Sequence, residues 1–361
     1  MYAWRGGSSC NAWNGVCWYF KIFRMKLLVV GQGIAGTVLS WVLRMHGAEV
    51  MLADAGFANA ASAAAAGIVN PITGKNYVKS WRIDAFLPIA KAIYQQMEQA
   101  LGIEIWLERP IFRLLSAVQE RNNWDARLGL PDYEAYMGGT LESSEWSDYL
   151  QPHFSFGQVN GGGRVDFGKL LPAYRKYAQQ EGFFTTATIQ ASALPGGYDA
   201  VIFAEGHRAA QNPLFNTLPW QMNKGEALLV RFPDIQPPYP EAMLKKTILM
   251  AHMGEGLYWA GAPYIHRYTD PYPTPEGRRF VEDDLQAMFR KPYVVEDHVA
   301  GIRPAVAGRR PYIGRHPLHP EIVLFNGWGA KGASLTPYWA TQLALHLIEG
   351  KPLDAEVTRW Q

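Results

Sequence analysis

The sequence is poor in cysteine, and its two cysteines, Cys10 and Cys17, both lie near the amino terminus. From Trp18 to the last residue there is none, so neither a disulfide nor a thiolate metal site can belong to the main fold. This usage is typical of a reducing compartment, and we expect a cytoplasmic protein.

Long hydrophobic runs and an excess of charge of one sign are also missing. No stretch approaches the ~20 apolar residues that a membrane-spanning helix needs, so we expect a soluble protein without a membrane span. The 34 basic and 32 acidic residues give a net charge of +2, which offers no general attraction to nucleic acid or anionic lipid. His316 and His319 lie in a Pro-rich turn and no HExxH pattern occurs, so we predict no metal site.

The chain has 361 residues, of which 48% are hydrophobic, and this length and composition predict a large core in two domains. Residues 1–24 do not have the pattern of a signal peptide. We predict that they form a disordered extension or reflect a misassigned start, with Met25 as the natural first residue.

A glycine-rich loop follows the first strongly apolar run. Leu27 to Val30 predicts a parallel strand buried on both faces, and Gly31 to Gly36 follows it with the pattern GxGxxG. The next apolar positions recur at helical spacing, and a second predicted strand, 48–53, ends at Asp54, 18 residues beyond Gly36. In such a unit the glycines let a pyrophosphate approach the helix N-terminus, and the carboxylate binds the adenosine ribose. The sequence therefore predicts a dinucleotide-binding domain.

The segment from Ser62 to Pro71 consists largely of small residues. Small side chains allow the backbone to approach a large planar ligand closely. An Ala-rich helical turn explains the same composition.

Four segments together resemble the D-amino-acid-oxidase and glycine-oxidase family of FAD-dependent oxidoreductases. They are Gly31 to Gly36 with Asp54, Ser62 to Pro71, Tyr198 to Gly206, and His298 to Pro337. The resemblance implies an α/β fold (α+β overall), with a Rossmann-like FAD-binding domain and a second, mainly antiparallel-sheet substrate domain. It assigns residues 25–104, 160–218 and 301–361 to the FAD-binding domain, and residues 105–159 and 219–300 to the substrate domain.

The resemblance also implies which residues contact the cofactor. The expected FAD contacts are Gly31, Gly33, Ile34, Ala35, Gly36, Asp54, Ser62, Ala66, Gly67, Ile68, Gly206, Gly327, Gly329, Ala330, Lys331 and Gly332. FAD is expected to bind non-covalently, because no cysteine after Cys17 is available for a thioether link. A helix predicted from about Thr336, with Pro337 at its first position, would direct its positive end toward the flavin.

The resemblance implies that Arg303 anchors a substrate carboxylate, which a planar guanidinium can hold bidentately. A structural arginine bonded to loop carbonyls is the alternative. Lys331 is expected to supplement Arg303 as a catalytic residue, or else to point to solvent. Tyr258 and Tyr264 are expected to bind substrate. An aromatic strand core explains the two tyrosines as well.

The activity implied by the resemblance is oxidation of the C–N bond of an amino acid or N-substituted glycine. Hydride passes to flavin N5, and oxygen or another acceptor reoxidises the flavin. Two departures argue against glycine as the substrate: Ala330 stands where glycine oxidase has an arginine, and Ile248 to Met250 lack the hydroxyl of a substrate-binding tyrosine.

Three other functions stay open on the sequence. Lys331 resembles the basic residue of a flavoenzyme domain that tailors aminomethyl-type wobble uridines in tRNA, but the near-neutral charge argues against a nucleic-acid partner. A flavin-binding module without turnover and a nicotinamide dehydrogenase are the remaining alternatives.

Overall fold

The structure is a computed structural model that describes residues 24–56 and 60–360. The predicted extension, apart from Arg24, lies outside the described residues. No helix in the described ranges is both long enough and apolar enough to cross a bilayer.

The described residues form nineteen strands and eight α-helices. The strands are β1 (Lys26–Val30), β2 (Glu49–Asp54), β3 (Ile68–Val69), β4 (Ile72–Thr73), β5 (Val78–Lys79), β6 (Trp106–Glu108), β7 (Ile111–Leu115), β8 (Met137–Leu141), β9 (Ser155–Val159), β10 (Gly163–Val165), β11 (Phe184–Thr186), β12 (Ala200–Phe203), β13 (Asn223–Arg231), β14 (Met243–Lys245), β15 (Leu249–Gly254), β16 (Leu257–Gly261), β17 (Val294–Arg303), β18 (Tyr312–Arg315) and β19 (Ile322–Asn326). The helices are α1 (Ile34–Met45), α2 (Ala61–Ala64), α3 (Ile83–Leu101), α4 (Val118–Leu128), α5 (Phe167–Gln180), α6 (Pro275–Met288), α7 (Gly332–Glu349) and α8 (Ala355–Thr358).

The first large sheet has six strands in the order β11-β2-β1-β12-β19-β18. All neighbours are parallel except β18, which runs antiparallel to β19. Both faces of β1 are buried: Leu27 and Val29 face the core formed with helices α1, α3, α5 and α7, and Leu28 and Val30 face a second core. This explains why the strand is a continuous apolar run.

The second large sheet has eight strands in the order β17-β13-β16-β15-β14-β7-β9-β8. Its pairs are antiparallel except β14 with β7. Side chains alternate between its faces: Phe112 and Leu114 point into a separate core, whereas Ile111 and Leu115 point toward the first domain. The predicted fold class, a Rossmann-like domain with a mainly antiparallel second sheet, is confirmed.

Two smaller sheets join these layers: β3, β10 and β6 form an antiparallel sheet, and β4 pairs with β5. The apolar residues between Ile103 and Leu115 predict one strand, but the structure has two, because β6 ends at Glu108 and β7 begins at Ile111. Pro110 stands between them, and it has no N–H to continue a ladder. Apolar residues at helical spacing predict a helix from Ile83 to Leu101, and α3 has those bounds. Gly102 ends it in a left-handed conformation with φ 65°.

Candidate active site

The glycine loop after β1 has no room for side chains at two of its positions. A Cβ on Gly36 would lie 1.7 Å from the carbonyl oxygen of Gly31, and one on Gly31 would lie 2.7 Å from that of Ala204. Gly31 also has φ +102°, which L side chains rarely adopt. The loop therefore packs α1 tightly against the end of β1. Gly36, an expected FAD contact, does not itself line the cavity described below.

The N-terminus of α1 is open toward a cavity. Gly33 gives the helix no side-chain cap, and the first turn carries no acidic residue. Gly33, Ile34 and Ala35 line the cavity, so the positive end of the helix is available to an anionic group.

Asp54 ends β2 beside this helix and also lines the cavity. One of its oxygens, Oδ2, accepts a hydrogen bond from the Gln32 backbone N–H at 2.7 Å. The other, Oδ1, accepts from the Gly56 N–H at 2.8 Å and from Arg175 Nη2 at 2.9 Å. Arg175, on α5, is a neighbour that the sequence did not reveal. These bonds fix the carboxylate at the cavity wall.

The small-residue segment forms α2 and the start of β3, and it lies along the same cavity. Ser62 Oγ accepts from the Ile34 N–H at 3.1 Å, which joins the segment to the start of α1. Gly67 has φ +69°, and a Cβ there would lie 2.0 Å from the carbonyl oxygen of Val165. Ala66, Gly67 and Ile68, three of the expected FAD contacts, all line the cavity.

A second helix N-terminus borders the cavity where α7 begins at Gly332. It has no side-chain cap and no acidic residue in its first turn. The predicted start near Thr336 is wrong by four residues: Thr336 donates back to the Gly332 carbonyl oxygen, and Pro337 lies inside the helix. Because Pro337 has no N–H for the Ala333 carbonyl oxygen, the hydroxyl of Tyr94 donates to that oxygen instead, at 2.8 Å.

Other predicted cofactor residues divide between the cavity wall and its support. Gly206, Gly329, Ala330 and Gly332 line the cavity. Gly327 does not, and its φ of +95° instead lets the loop turn at the end of β19. The Gly206 carbonyl oxygen accepts from Asn326 Nδ2 at 2.8 Å, which holds the loops after β12 and β19 together.

Arg303 ends β17 and lines the cavity on the side of the second sheet. Its Nη1 donates to Asn223 Oδ1 and to the Pro263 carbonyl oxygen, both at 2.9 Å. No carboxylate among residues 24–56 and 60–360 contacts the guanidinium. Burial lowers its pKa, while the nearby Tyr264 acts in the opposite direction. Arg303 thus bonds a loop carbonyl, as the alternative interpretation of a structural arginine predicts. It also presents a positive charge at the cavity that no described carboxylate neutralises.

Lys331 does not join Arg303. Its Nζ lies 3.3 Å from Ser80 Oγ, and the residue is absent from the cavity wall although both of its neighbours line it. Burial lowers the pKa of Lys331, and the charges of Arg310 and Arg309 lower it further. The expectation that Lys331 supplements Arg303 receives no support from this placement.

The two predicted substrate tyrosines lie in different surroundings. Tyr258 is 1% exposed in the core of the second sheet, where its hydroxyl donates to the Pro240 carbonyl oxygen, so the expectation that it binds substrate is wrong. Trp259, one position along β16 and therefore on the other face, lines the cavity and donates to the Ala64 carbonyl oxygen at 2.9 Å. Tyr264 lies outside the cavity wall, and its exposed ring stands 4.5 Å from the Arg303 guanidinium carbon.

Several cavity residues were missed because no sequence pattern marks them. They belong to the loop after β11 and to the turn after β12, and they include Thr188, Gln190, Ser192, Glu205, His207 and Arg208. Burial raises the pKa of Glu205 and lowers that of His207. Within the described ranges, no group of three or more His, Cys, Asp or Glu side chains is arranged to hold a metal ion.

The cavity has the size and lining for an extended dinucleotide. Its volume is about 540 Å³, and it extends from Asp54 past the N-terminus of α1 to Arg303 and the start of α7. Volumes of ~300–1,000 Å³ are usual for ligand pockets. A carboxylate for a ribose and an open helix end for a pyrophosphate occupy one part of the wall, and glycine and alanine residues leave room for a flat ring in the other.

Comparisons with known proteins agree with this arrangement. Residues 26–344 match the family described as FAD dependent oxidoreductase (DAO). The chain is 23% identical over 363 aligned residues to the bifunctional protein ThiO/ThiG of Nostoc sp., with 90% of this chain covered. It spans about half, 53%, of the length of that curated relative.

Solved structures similar to this chain share its fold. Iminodiacetate oxidase from Chelativorans sp. BNC1 superimposes with a TM-score of 0.75 at 20% identity, covering 92% of this chain and 98% of the other. Glycine oxidase from Bacillus cereus gives a TM-score of 0.72 at 17% identity, covering 92% and 97%. With the family match extending over most of its length, the chain belongs to the DAO family of FAD-dependent oxidoreductases.

Proposed function

We propose that this protein oxidises the C–N bond of an amino acid or an N-substituted glycine, with oxygen or another electron acceptor completing the cycle. The observation behind the proposal is the Arg303 guanidinium, which lines the cofactor cavity and contacts no carboxylate in the described part of the chain. A half-buried cation without a counterion favours an anionic ligand. A substrate carboxylate supplies that charge.

The residues of the cavity would hold FAD along its length without a covalent link. The N-terminus of α1 would hold the pyrophosphate, and Asp54 would hold the adenosine ribose, because both line the cavity. The N-terminus of α7 lies at the opposite end, where its positive end would favour negative charge on the ring. When bound, the flavin would supply the acceptor for a hydride, which carries both electrons of the oxidation.

Arg303 orients the substrate in this arrangement. Its Nη1 is occupied, so a carboxylate would be held by the remaining edge of the guanidinium, Nε and Nη2. Holding the carboxylate by two bonds fixes which substituent of the adjacent carbon faces the cofactor. Orientation is therefore the main contribution that we assign to the protein.

We assign no general base to the cavity wall beside Arg303. Glu226, which follows Gly225 on β13, already has partners: its carboxylate bonds Lys224 at 2.9 Å and accepts from the Thr274 N–H at 2.8 Å. A substrate amine must then arrive without its proton. We expect kcat/KM to rise with pH through the pKa of the substrate amine, and to follow that pKa when the amine is changed.

Two neighbours support the substrate class. Iminodiacetate and glycine, which appear in the names of two similar structures, both carry a carboxylate on the carbon beside an amine. The tRNA alternative depended on Lys331, whose ammonium bonds Ser80, so no contact of the described residues favours it.

The proposal is tested by mixing the FAD-loaded protein anaerobically with a panel of amines and amino acids. Flavin bleaching by carboxylate-bearing amines, with slower or no bleaching by the matched amines without a carboxylate, is the expected result. Readmission of oxygen then separates an oxidase from a dehydrogenase. Failure of every member of the panel to bleach the flavin would leave a cofactor-binding protein without this activity.

A further inference from the structure

We infer that Asn223 and Gly225 are positioning residues for the Arg303 guanidinium, and this inference rests on the proposed function. Together with the carbonyl group of Pro263 they form what we call the arginine seat. The seat fixes the orientation of the guanidinium and leaves its charge intact.

The strand register places the seat directly beside Arg303. On the antiparallel strands β13 and β17, Asn223 lies opposite Arg303 and Gly225 lies opposite Gly301. Asn223 is 4% exposed, and its Oδ1 accepts from Nη1 at 2.9 Å. Pro263 is held nearby because Ile265 and Lys224 exchange two backbone hydrogen bonds, at 2.8 and 2.9 Å.

Gly225 provides the surface on which the guanidinium lies. A Cβ at this position would lie 2.2 Å from Nη2, 2.5 Å from Cζ and 3.0 Å from Nη1 of Arg303. Its φ lies outside the left-handed range, so the backbone itself would accept any residue. Glycine is therefore needed here for the space that the guanidinium occupies.

The chemistry of the seat preserves a free cation. Asn223 is neutral, so it accepts a hydrogen bond from Arg303 without forming an ion pair. An aspartate has the same shape but would form an ion pair with Arg303. The two acceptors both use Nη1, and Nη2 has no acceptor among the described residues. The seat thus directs Nη2 toward an anionic ligand. The negative charge of that ligand is still needed to neutralise the guanidinium.

The test compares the FAD-loaded wild type with Asn223→Asp and Gly225→Ala. The probes are methoxyacetate, in which oxygen replaces the nitrogen of N-methylglycine, and its uncharged amide, with binding read from the shift of the flavin absorbance. Gly139→Ala is the matched control, because a Cβ there meets nothing within 4 Å and the residue is exposed. Flavin content and the midpoint of thermal unfolding are measured for every variant.

Both seat variants are expected to bind methoxyacetate about 10- to 100-fold more weakly than wild type, the loss that accompanies a disturbed hydrogen bond to a charged group. Affinity for the amide should change less than threefold in Asn223→Asp, and Gly139→Ala should match wild type with both probes. Should Asn223→Asp lose its flavin, Asn223→Ala tests the same bond, with a loss of methoxyacetate affinity expected.

Wild-type affinity for methoxyacetate in both seat variants would overturn the inference while leaving the proposed function in place. An equal loss for the amide and the carboxylate would also overturn it, since only general damage to the cavity has that effect. If the wild type holds FAD but binds neither probe, the proposed function is wrong and the inference falls with it.

Discussion

Replacing Arg303 by alanine should abolish most of the selectivity for carboxylate substrates and leave the FAD site intact. The free edge of the guanidinium can donate two charge-assisted hydrogen bonds to a carboxylate, each worth about 1.5–3 kcal/mol. Their loss amounts to about 3–6 kcal/mol, a fall of about 10² to 10⁴ in kcat/KM, since each 1.4 kcal/mol is about tenfold. Substrates without a carboxylate lack these bonds and should change little.

The assay for this prediction is anaerobic flavin reduction, followed against substrate concentration in wild type, Arg303→Ala and Arg303→Lys. The lysine variant keeps a positive charge but cannot form the planar two-bond contact, so it should recover only part of the loss. FAD content should stay at the wild-type level, because Asp54 and the N-termini of α1 and α7 are untouched. A kcat/KM for carboxylate substrates within threefold of wild type in Arg303→Ala would refute the assigned role.

Three further outcomes follow from particular contacts. Gly67→Ala should lower the unfolding free energy by about 2–5 kcal/mol, because it adds both left-handed strain and a backbone clash. The control Gly182→Ala has φ +73° and nothing within 4 Å of the added Cβ, so it should lose only the strain energy of about 1–2 kcal/mol. Equal losses for the two variants in denaturant melts would contradict the clash. Tyr94→Phe should cost about 1–3 kcal/mol in the same melts by leaving the buried Ala333 carbonyl unpaired, and an unchanged midpoint would refute that pairing. Burial lowers the pKa of Lys331, so the folded protein loses the ammonium proton at lower pH than the unfolded chain does. Wild type should therefore gain stability relative to Lys331→Met as the pH rises from the lowered pKa to about 10.4, the pKa of an unperturbed lysine. A stability difference that does not change with pH would contradict the pKa shift.

The local sequence predicted the cofactor unit well because its signals are local. An apolar run, three glycines at fixed spacing and an acid 18 residues later lie within one β-α-β unit, and β1, α1 and β2 follow that order. The bounds of α3 could be read in the same way, from apolar spacing and the glycine that ends the helix.

The site depended on contacts that no local pattern encodes. The start of α7 was misplaced because a proline usually marks the first turn, and the residue that makes Pro337 tolerable is Tyr94, 239 positions away from the Ala333 carbonyl to which it bonds. Whether Tyr258 or Trp259 lines the cavity depends on which face of β16 meets the cofactor domain. The packing of the two sheets determines that face. Lys331 bonds Ser80, which lies 251 residues away in the sequence, so no local pattern could predict that contact either.

Titration of the flavin-free protein with FAD, FMN and NAD tests the central claim most directly. We expect one FAD to bind per chain, with quenching of its fluorescence. FMN should bind at least tenfold more weakly, because it lacks the adenosine that we propose Asp54 binds, and NAD should not compete. Failure to take up FAD, or equal affinity for FAD and FMN, would contradict the account.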